Sequence, residues 1–338
     1  MKKNVPNEVV ALMGLVDTYK RYKEYITKDD REYYYYHPSE WGKCLRSQQY
    51  KHYLQKGYIK MDFNSFGSRI LRLFDGGHYM HQRWVDYFDD MGNILMGKWK
   101  CKNPYCYLFE DKKLKIKDDK RIQEILNEGK TRVYGEGYQG VFRPKVCECG
   151  CKDFEYIETA VECDELNMRG HSDIILDCSD LEKNKFKDVL FTFNYDHLPK
   201  KGKMVGDMKT ININGWNYQI RKKGPHPYYI IQLIIYIHIL DCEYGMLMYE
   251  KKDDSQMQWF KIERNEKIWK KIKWQAKTMI DMTKGSKKQL PPPKPERKTS
   301  FECKFCDFKQ ICHKSKVWDD PNLDKKRIDF YGDTLEIK

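Results

Sequence analysis

The sequence predicts an α/β protein that carries two cysteine-rich additions, and three observations lead there. Strand-like apolar runs at 154–161, 168–176, 189–193, 204–210, 244–250 and 257–262 occur among helical patterns at 41–58, 68–90, 227–240 and 266–283. Twelve cysteines fall mostly into tight clusters outside those runs. A Pro- and Lys-rich stretch at 285–300, which suits neither helix nor sheet interior, sets the last cluster apart as the end of an extended tether. The expected organisation is a helical part at 1–97, an insertion at 98–154, a core at 155–284 and a tether with its cysteine tail at 285–338.

Composition limits the function classes. With 338 residues, 40% hydrophobic and 14% aromatic, the chain holds too many core formers for intrinsic disorder. A chain of this length buries about 75% of its unfolded surface and needs no disulfide staples. The longest apolar run, 228–240, contains Gln232 and His238 and falls short of the roughly 20 residues that span a membrane. Residues 9–16 are apolar but lack a small-residue cleavage site, so no secretion signal is read and a cytoplasmic, non-membrane protein is expected. Cytosolic reductants keep thiols reduced, which makes metal ligation the expected use of clustered cysteines. The formal charge of +13 points to a polyanionic partner, although a lysine-rich solvated surface gives the same total.

In chain order, Ser39 N-caps the first helix and Cys44 is expected in its first turns. In the second helix Met80, Trp84, Tyr87 and Phe88 form one apolar stripe, with His81 and Val85 beside it. The insertion opens and closes with cysteines and encloses a strand-like segment at 107–116 and a short helix near 121–128. The strand runs follow, with the helix at 227–240 between the fourth and fifth, and the helix at 266–283 precedes the tether.

The chemistry begins in Val205-Gly206-Asp207-Met208-Lys209-Thr210, where an acid and a lysine two apart share one face of a strand. A carboxylate beside an ammonium suits a divalent cation and an attacking hydroxide near a phosphate. An isolated Asp-x-Lys is far more often a strand-end ion pair. A second acid, Asp173, lies in Gly170-His171-Ser172-Asp173 against an apolar run; burying an unpaired carboxylate is costly, so two such acids suggest a shared cation. His81 offers an imidazole from a helix, and Gln232 and Tyr236 lie four apart on one helix face.

Taken in order, Gly77-x-x-x-His81, Gly170-x-x-Asp173, Asp207-x-Lys209 and Gln232-x-x-x-Tyr236 resemble the RecB-like branch of the PD-(D/E)XK nuclease superfamily. The resemblance implies a mixed sheet flanked by helices, as in restriction endonucleases, and magnesium or manganese as cofactor. It implies that His81, Asp173 and Asp207 ligate that metal, that Lys209 is the catalytic lysine, and that Gln232 and Tyr236 contact the substrate or support the lysine. Cys44, then Cys303, Cys306 and Cys312 behind a Pro-rich run, resemble the iron-sulfur nucleases of this branch, the CRISPR-associated four-cysteine exonucleases and the nuclease domain of AddB. There, one early and three late cysteines hold a 4Fe-4S cluster. The same residues, with His313 replacing one, are also a reasonable zinc site.

In the insertion, Cys101 and Cys106 form one knuckle, and two of Cys147, Cys149 and Cys151 form the other, in an arrangement similar to a zinc ribbon. Which pair binds zinc is open. Cys163, Cys178 and Cys242 carry no spacing and are read as packed thiols. Lys200, Lys201 and Lys203 precede the Asp207 strand, while Trp216, Tyr218, Arg221, Lys222 and Lys223 precede the Gln232 helix. Lysines on phosphates with aromatics on splayed bases suit single-stranded DNA.

The expected activity is therefore a metal-dependent DNA nuclease, an exonuclease on single strands or ends, with a helicase or recombination protein as a possible partner. A non-catalytic DNA-binding or complex-forming scaffold is the competing class, and the same chemistry would serve an RNA-directed enzyme.

Overall fold

The computed structural model describes residues 14–22, 34–61, 68–92, 94–102, 131–133, 137–147, 150–179, 202–285 and 288–332. The expected strands at 107–116 and 189–193 and the helix near 121–128 lie outside the described residues. So do Cys106, Cys149, Lys200 and Lys201.

The strands are β1 (Leu95–Cys101), β2 (Thr131–Val133), β3 (Gly137–Phe142), β4 (Phe154–Ile157), β5 (Thr159–Cys163), β6 (Met168–Ser172), β7 (Ile174–Asp177), β8 (Lys203–Ile211), β9 (Tyr244–Lys251) and β10 (Met257–Glu263). Eight form one sheet in the order β10-β9-β8-β7-β1-β3-β2, with β4 also paired to β1. The β8–β9 pair is parallel and the other pairs are antiparallel, so the sheet is mixed. Strands β5 and β6 form a separate two-stranded ladder that ends on the pair Thr159↔Ser172.

The helices used below are α1 (Pro38–Trp41), α2 (Leu45–Gln55), α3 (Ser68–Met91), α4 (Pro227–Ile239), α5 (Glu266–Lys284) and α6 (Leu323–Tyr331). Helix α4 begins with Pro at N1, where the missing amide costs nothing, and is apolar nearly all round, as a buried helix must be. It packs on β8 and β9 with Ile231, Leu233, Ile235 and Ile237 fully buried against Val205 and Leu247. Helix α3 serves the other cluster, where Met80, Val85 and Phe88 meet Ile174, Leu176, Met204 and Met208. Alternation along β8 thus sends Met204 and Met208 toward α3 and Val205 toward α4.

The single helix expected over 41–58 is two helices. Gly42 lies so close to α4 that a Cβ there would stand 2.2 Å from the Tyr228 Cα, and the chain breaks to pass it. Cys44 is consequently the extended N-cap residue of α2 rather than part of its first turns. The expected strands at 154–161 and 168–176 are each divided in two as well, at Glu158 and at Asp173. No helix among the described residues is long and apolar enough to cross a membrane.

Candidate metal centre

Both divisions have one cause. Strand β4 pairs with β1 from Lys98 to Cys101, and β7 pairs with β1 at Leu95 and Met96, while β5 and β6 pair with each other. Just below Thr159↔Ser172 the hairpin strands separate, and Glu158 and Asp173 stand at the fork. Strand β7 covers β8 from Asp177↔Lys203 to Ile174↔Gly206 and no further. Gly206 permits that approach, since a Cβ would lie 2.5 Å from Ile174 Cγ1.

Beyond Gly206 the β8 edge finds side-chain partners. The Met208 amide donates to Asp173 Oδ2 at 2.6 Å. On the same residue, the Met208 carbonyl accepts from His81 Nε2 at 2.8 Å. A carbonyl only accepts, so Nε2 carries a proton, and in the neutral imidazole this leaves the Nδ1 lone pair available to a cation. That Nδ1 lies 3.8 Å from Asp173 Oδ1. The ligand atoms of His81, Asp173 and Glu158 all lie within 4.8 Å of one another.

Asp207 is 1% exposed, and its Oδ1 accepts from Lys209 Nζ at 2.8 Å and from Gln232 Nε2 at 3.1 Å. Its Oδ2 is buried without a hydrogen-bond partner. Gln232 also donates to the Tyr236 hydroxyl at 3.0 Å, which fixes the amide from the far side. Lys209 Nζ stands 4.8 Å from the centre of the Tyr229 ring.

The electrostatics are those of crowded carboxylates. Burial pushes the Asp207 carboxyl up from 3.8 to about 6, with Asp173 adding to the rise and Lys209 opposing it. Glu158 is exposed as a residue, yet desolvation of its carboxyl, followed by the Asp173 charge, raises it above the ordinary glutamate value. Burial works against the charge on Lys209, but the Asp207 and Asp173 carboxylates outweigh it and hold the ammonium above its usual range. Burial, and after it the Asp207 charge, raises the Tyr236 phenol. A cation between these carboxylates would relieve their repulsion, and oxygen donors with one imidazole suit magnesium or manganese. The orphaned Asp207 Oδ2 is a fitting donor.

The structure thus gathers His81, Asp173, Asp207, Lys209, Gln232 and Tyr236 around one fork. Gln232 and Tyr236 are buried, and Gln232 bonds the acid rather than the lysine. Sequence reasoning missed Glu158. Its signal was parity: it falls in phase with Phe154 and Tyr156, on the inward face of the run, where an acid has no ordinary reason to be.

The basic and aromatic residues divide. Arg221, Lys222, Lys223 and Tyr218 are exposed, with Lys223 Nζ donating to the Tyr218 hydroxyl at 2.9 Å. Trp216, expected to offer its ring to a base, is 5% exposed and belongs to the core, where it and Ile220 form the buried side of a π-helical turn whose other side carries the exposed Tyr218. Lys203 is exposed at the start of β8, about 13 Å along the strand from Asp207.

Cys44, Cys303, Cys306 and Cys312 line one cavity, together with His313. The Lys294 amide donates to Cys44 Sγ at 3.4 Å, and Cys306 Sγ lies 3.9 Å from Ser47 Oγ. Burial pushes the Cys44 thiol up to about 11 and raises Cys303 and Cys306 as well. In the insertion, Cys147 is buried in the α3-side cluster with Cys101 and Cys151 packed against it. Backbone hydrogen bonds hold Cys147 and Cys151 together: the Gly150 amide donates to the Cys147 carbonyl and the Cys147 amide to the Cys151 carbonyl, both at 2.8 Å, with φ +84° at Gly150. Cys178 and Cys242 are buried, and Cys163 packs against the core.

No family model matches the sequence, and neither does any curated protein. Solved structures show distant similarity, two of them as follows. The crystal structure of SSO0001 aligns at 13% identity over 89% of this chain and 96% of that chain, with a TM-score of 0.40. The alkaline exonuclease LHK-Exo from Laribacter hongkongensis aligns at 13% identity over 49% of this chain and 63% of that chain, with a TM-score of 0.25. At these scores neither likeness carries an argument about this chain's fold or chemistry.

Proposed function

We propose that this chain is a cation-dependent phosphodiesterase of the PD-(D/E)XK type that hydrolyses nucleic acid, with DNA strands or ends as its substrate. The observation that carries this reading is the meeting of His81, Glu158 and Asp173 within 4.8 Å beside an Asp207–Lys209 pair whose Asp207 Oδ2 has no partner. A purely structural ion pair would need neither the two further carboxylates nor the histidine.

His81 Nδ1, Glu158, Asp173 and Asp207 Oδ2 would hold magnesium or manganese, which when bound polarises a phosphoryl oxygen and makes a water more acidic. The protein's own groups do the rest. Lys209 keeps its proton and presents a fixed positive charge to the oxyanion that develops at phosphorus. Gln232 pins Asp207 from behind, while the Met208 amide and carbonyl set the rotamers of Asp173 and His81. The exposed Arg221, Lys222 and Lys223, with a net charge of +13, favour a polyanionic strand. On the same reading the four thiols at Cys44, Cys303, Cys306 and Cys312 bind a 4Fe-4S cluster, and Cys101, Cys147 and Cys151 contribute to a zinc knuckle.

The test is cleavage of labelled single- and double-stranded DNA, linear and circular, with each metal. Wild-type protein should cut only with cation present. Asp207→Ala and Lys209→Ala should each be slower by about a hundredfold or more, and Glu158→Gln should demand more cation for half-maximal rate. Undiminished cleavage by Asp207→Ala would sink the assignment. RNA cut in preference to DNA would correct the substrate.

A further inference from the structure

Arg46 has no evident reason to be where it is. Its residue is 5% exposed, and no carboxylate among the described residues pairs with it. Nη1 donates to the Pro291 carbonyl at 2.9 Å. Nη2 lies 3.4 Å from both the Tyr50 hydroxyl and Ser315 Oγ, and Nε is buried with no partner. Those acceptors are neutral, and a buried guanidinium without an anion is strongly unfavourable. The described surroundings of this guanidinium are short of negative charge.

Arg46 and Lys294 line the same cavity as Cys44, Cys303, Cys306 and Cys312. The guanidinium lies over the Tyr50 ring, 5.4 Å from its centre, and Tyr50 in turn stacks on Phe308 between Cys306 and Cys312 in the tail. The Tyr50 hydroxyl is within electrostatic reach of Arg46 and of both those thiols. Lys294 donates its amide to Cys44 Sγ and its ammonium to the Gly42 carbonyl, which brings a second cation to the early cysteine. The carboxylates of Glu302 and Asp307 at the cavity rim are solvent-exposed.

We propose that Arg46, seconded by Lys294, is the built-in counter-charge of an anionic four-thiolate centre at Cys44, Cys303, Cys306 and Cys312. This rests on the reading of those cysteines as metal ligands. Four thiolates around a core of two positive charges, whether zinc or an oxidised four-iron cluster, keep two negative charges. One guanidinium and one ammonium match them. The Arg46 backbone amide hydrogen-bonds the Cys44 sulfur, while its side chain reaches Pro291, Tyr50 and Ser315 and none of the sulfurs, so the role of the guanidinium is to position charge. It stabilises the thiolate form of the ligands and, in an iron-sulfur centre, the reduced state most of all.

The full chain is purified without oxygen as wild type, Arg46→Gln, Arg46→Lys and Cys306→Ser. Iron, sulfide and zinc per chain are counted, and the reduction potential is titrated. Gln keeps a polar reach to Pro291 and Ser315 but drops the charge; Lys keeps the charge and drops the fork. With a cluster present, Arg46→Gln should lower the potential by ~59 mV, a tenfold change in a one-electron equilibrium, and Arg46→Lys should restore most of it. With zinc, the Gln variant should lose metal to a chelator about tenfold more readily and the Lys variant should not.

A Gln variant with unchanged potential and chelator resistance would overturn the proposal while leaving the ligand reading intact, provided Cys306→Ser has lost its metal. Equal losses in the Gln and Lys variants, matched by equal destabilisation of the metal-free chain, would make Arg46 a structural clamp and also overturn it. A wild-type chain that binds neither iron nor zinc through these cysteines would remove the ligand reading, and the proposal with it.

Discussion

Met208 brings no reactive group to the site, yet its amide and carbonyl orient Asp173 and His81, at 2.6 and 2.8 Å. Those backbone groups are free to do so because β7 stops at Ile174, and unpaired ladder groups must find partners. Asp207 shows the cost of the arrangement. Its carboxyl stands at about 6 instead of 3.8, chiefly through burial. Between those values the folded state holds a proton that the unfolded state releases, so stability declines as pH rises through that window. The decline attributable to Asp207 is about 3 kcal/mol at most. In chelator, Asp207→Asn should therefore gain stability relative to wild type on going from about pH 5 to about pH 7, and manganese should reverse the order by stabilising wild type alone. Denaturant unfolding at both pH values checks it; a difference that does not move with pH or cation would mean the carboxyl is ordinary. Asp207 and Lys209 were legible in sequence from their shared strand face. Glu158 showed only a parity with Phe154 and Tyr156, because what makes it matter is a fork between two sheets, which the parity does not reveal.

At the scale of elements, periodicity located α3, α4, α5, β8, β9 and β10. It failed where tertiary contact cuts a continuous pattern: at Gly42 under Tyr228, and at Glu158 and Asp173 where strands change partners. Helix α3 must carry His81 to the β8 edge, and its seating depends on Glu250 of β9. That carboxylate, 9% exposed as a side chain, pairs with Arg83 and accepts from Trp84 Nε1 at 2.8 Å, two and three residues beyond His81. Trp84 then meets Trp259 of β10 edge-on, with ring centres 5.8 Å apart. Glu250→Ala should cost about 2 kcal/mol, since the Arg83 end is partly solvated and two charge-assisted bonds are lost. It should also weaken manganese binding several-fold by loosening His81. Unfolding together with calorimetric metal titration separates the two effects; lower stability with unchanged manganese affinity would show that His81 is held without the bridge.

Across the whole molecule, early and late segments of the described chain close on each other. Trp41 Nε1 donates to Gln275 Oε1 at 3.0 Å, and Gln275 Nε2 to the Phe330 carbonyl at 2.9 Å, so one buried amide ties α1, α5 and α6 together. The Tyr331 hydroxyl accepts from the Leu45 amide at 3.2 Å and donates to the Pro292 carbonyl at 3.0 Å. It thereby satisfies an orphan amide at the start of α2, next to Cys44. Closing so long a loop is tolerable because its entropy grows only with the logarithm of length. The tether was legible from its prolines and the thiols from their spacing. Helix α6 was not, because it presents little beyond Leu323, Phe330 and Tyr331 to the core and shows no helical stripe. Tyr331 is 1% exposed, and the neighbouring Cys44 thiol is itself buried. Tyr331→Ala should therefore cost about 3–5 kcal/mol through the cavity it leaves, and Tyr331→Phe about 1–2 kcal/mol through the two backbone groups stranded. In the metal-free chain both changes should speed alkylation of Cys44, in the same order, with Cys178 unaffected. If Tyr331→Ala instead melts the tail in a separate early transition and leaves Cys44 protected, α6 is an appendage and the thiol cavity is held shut by the tether alone.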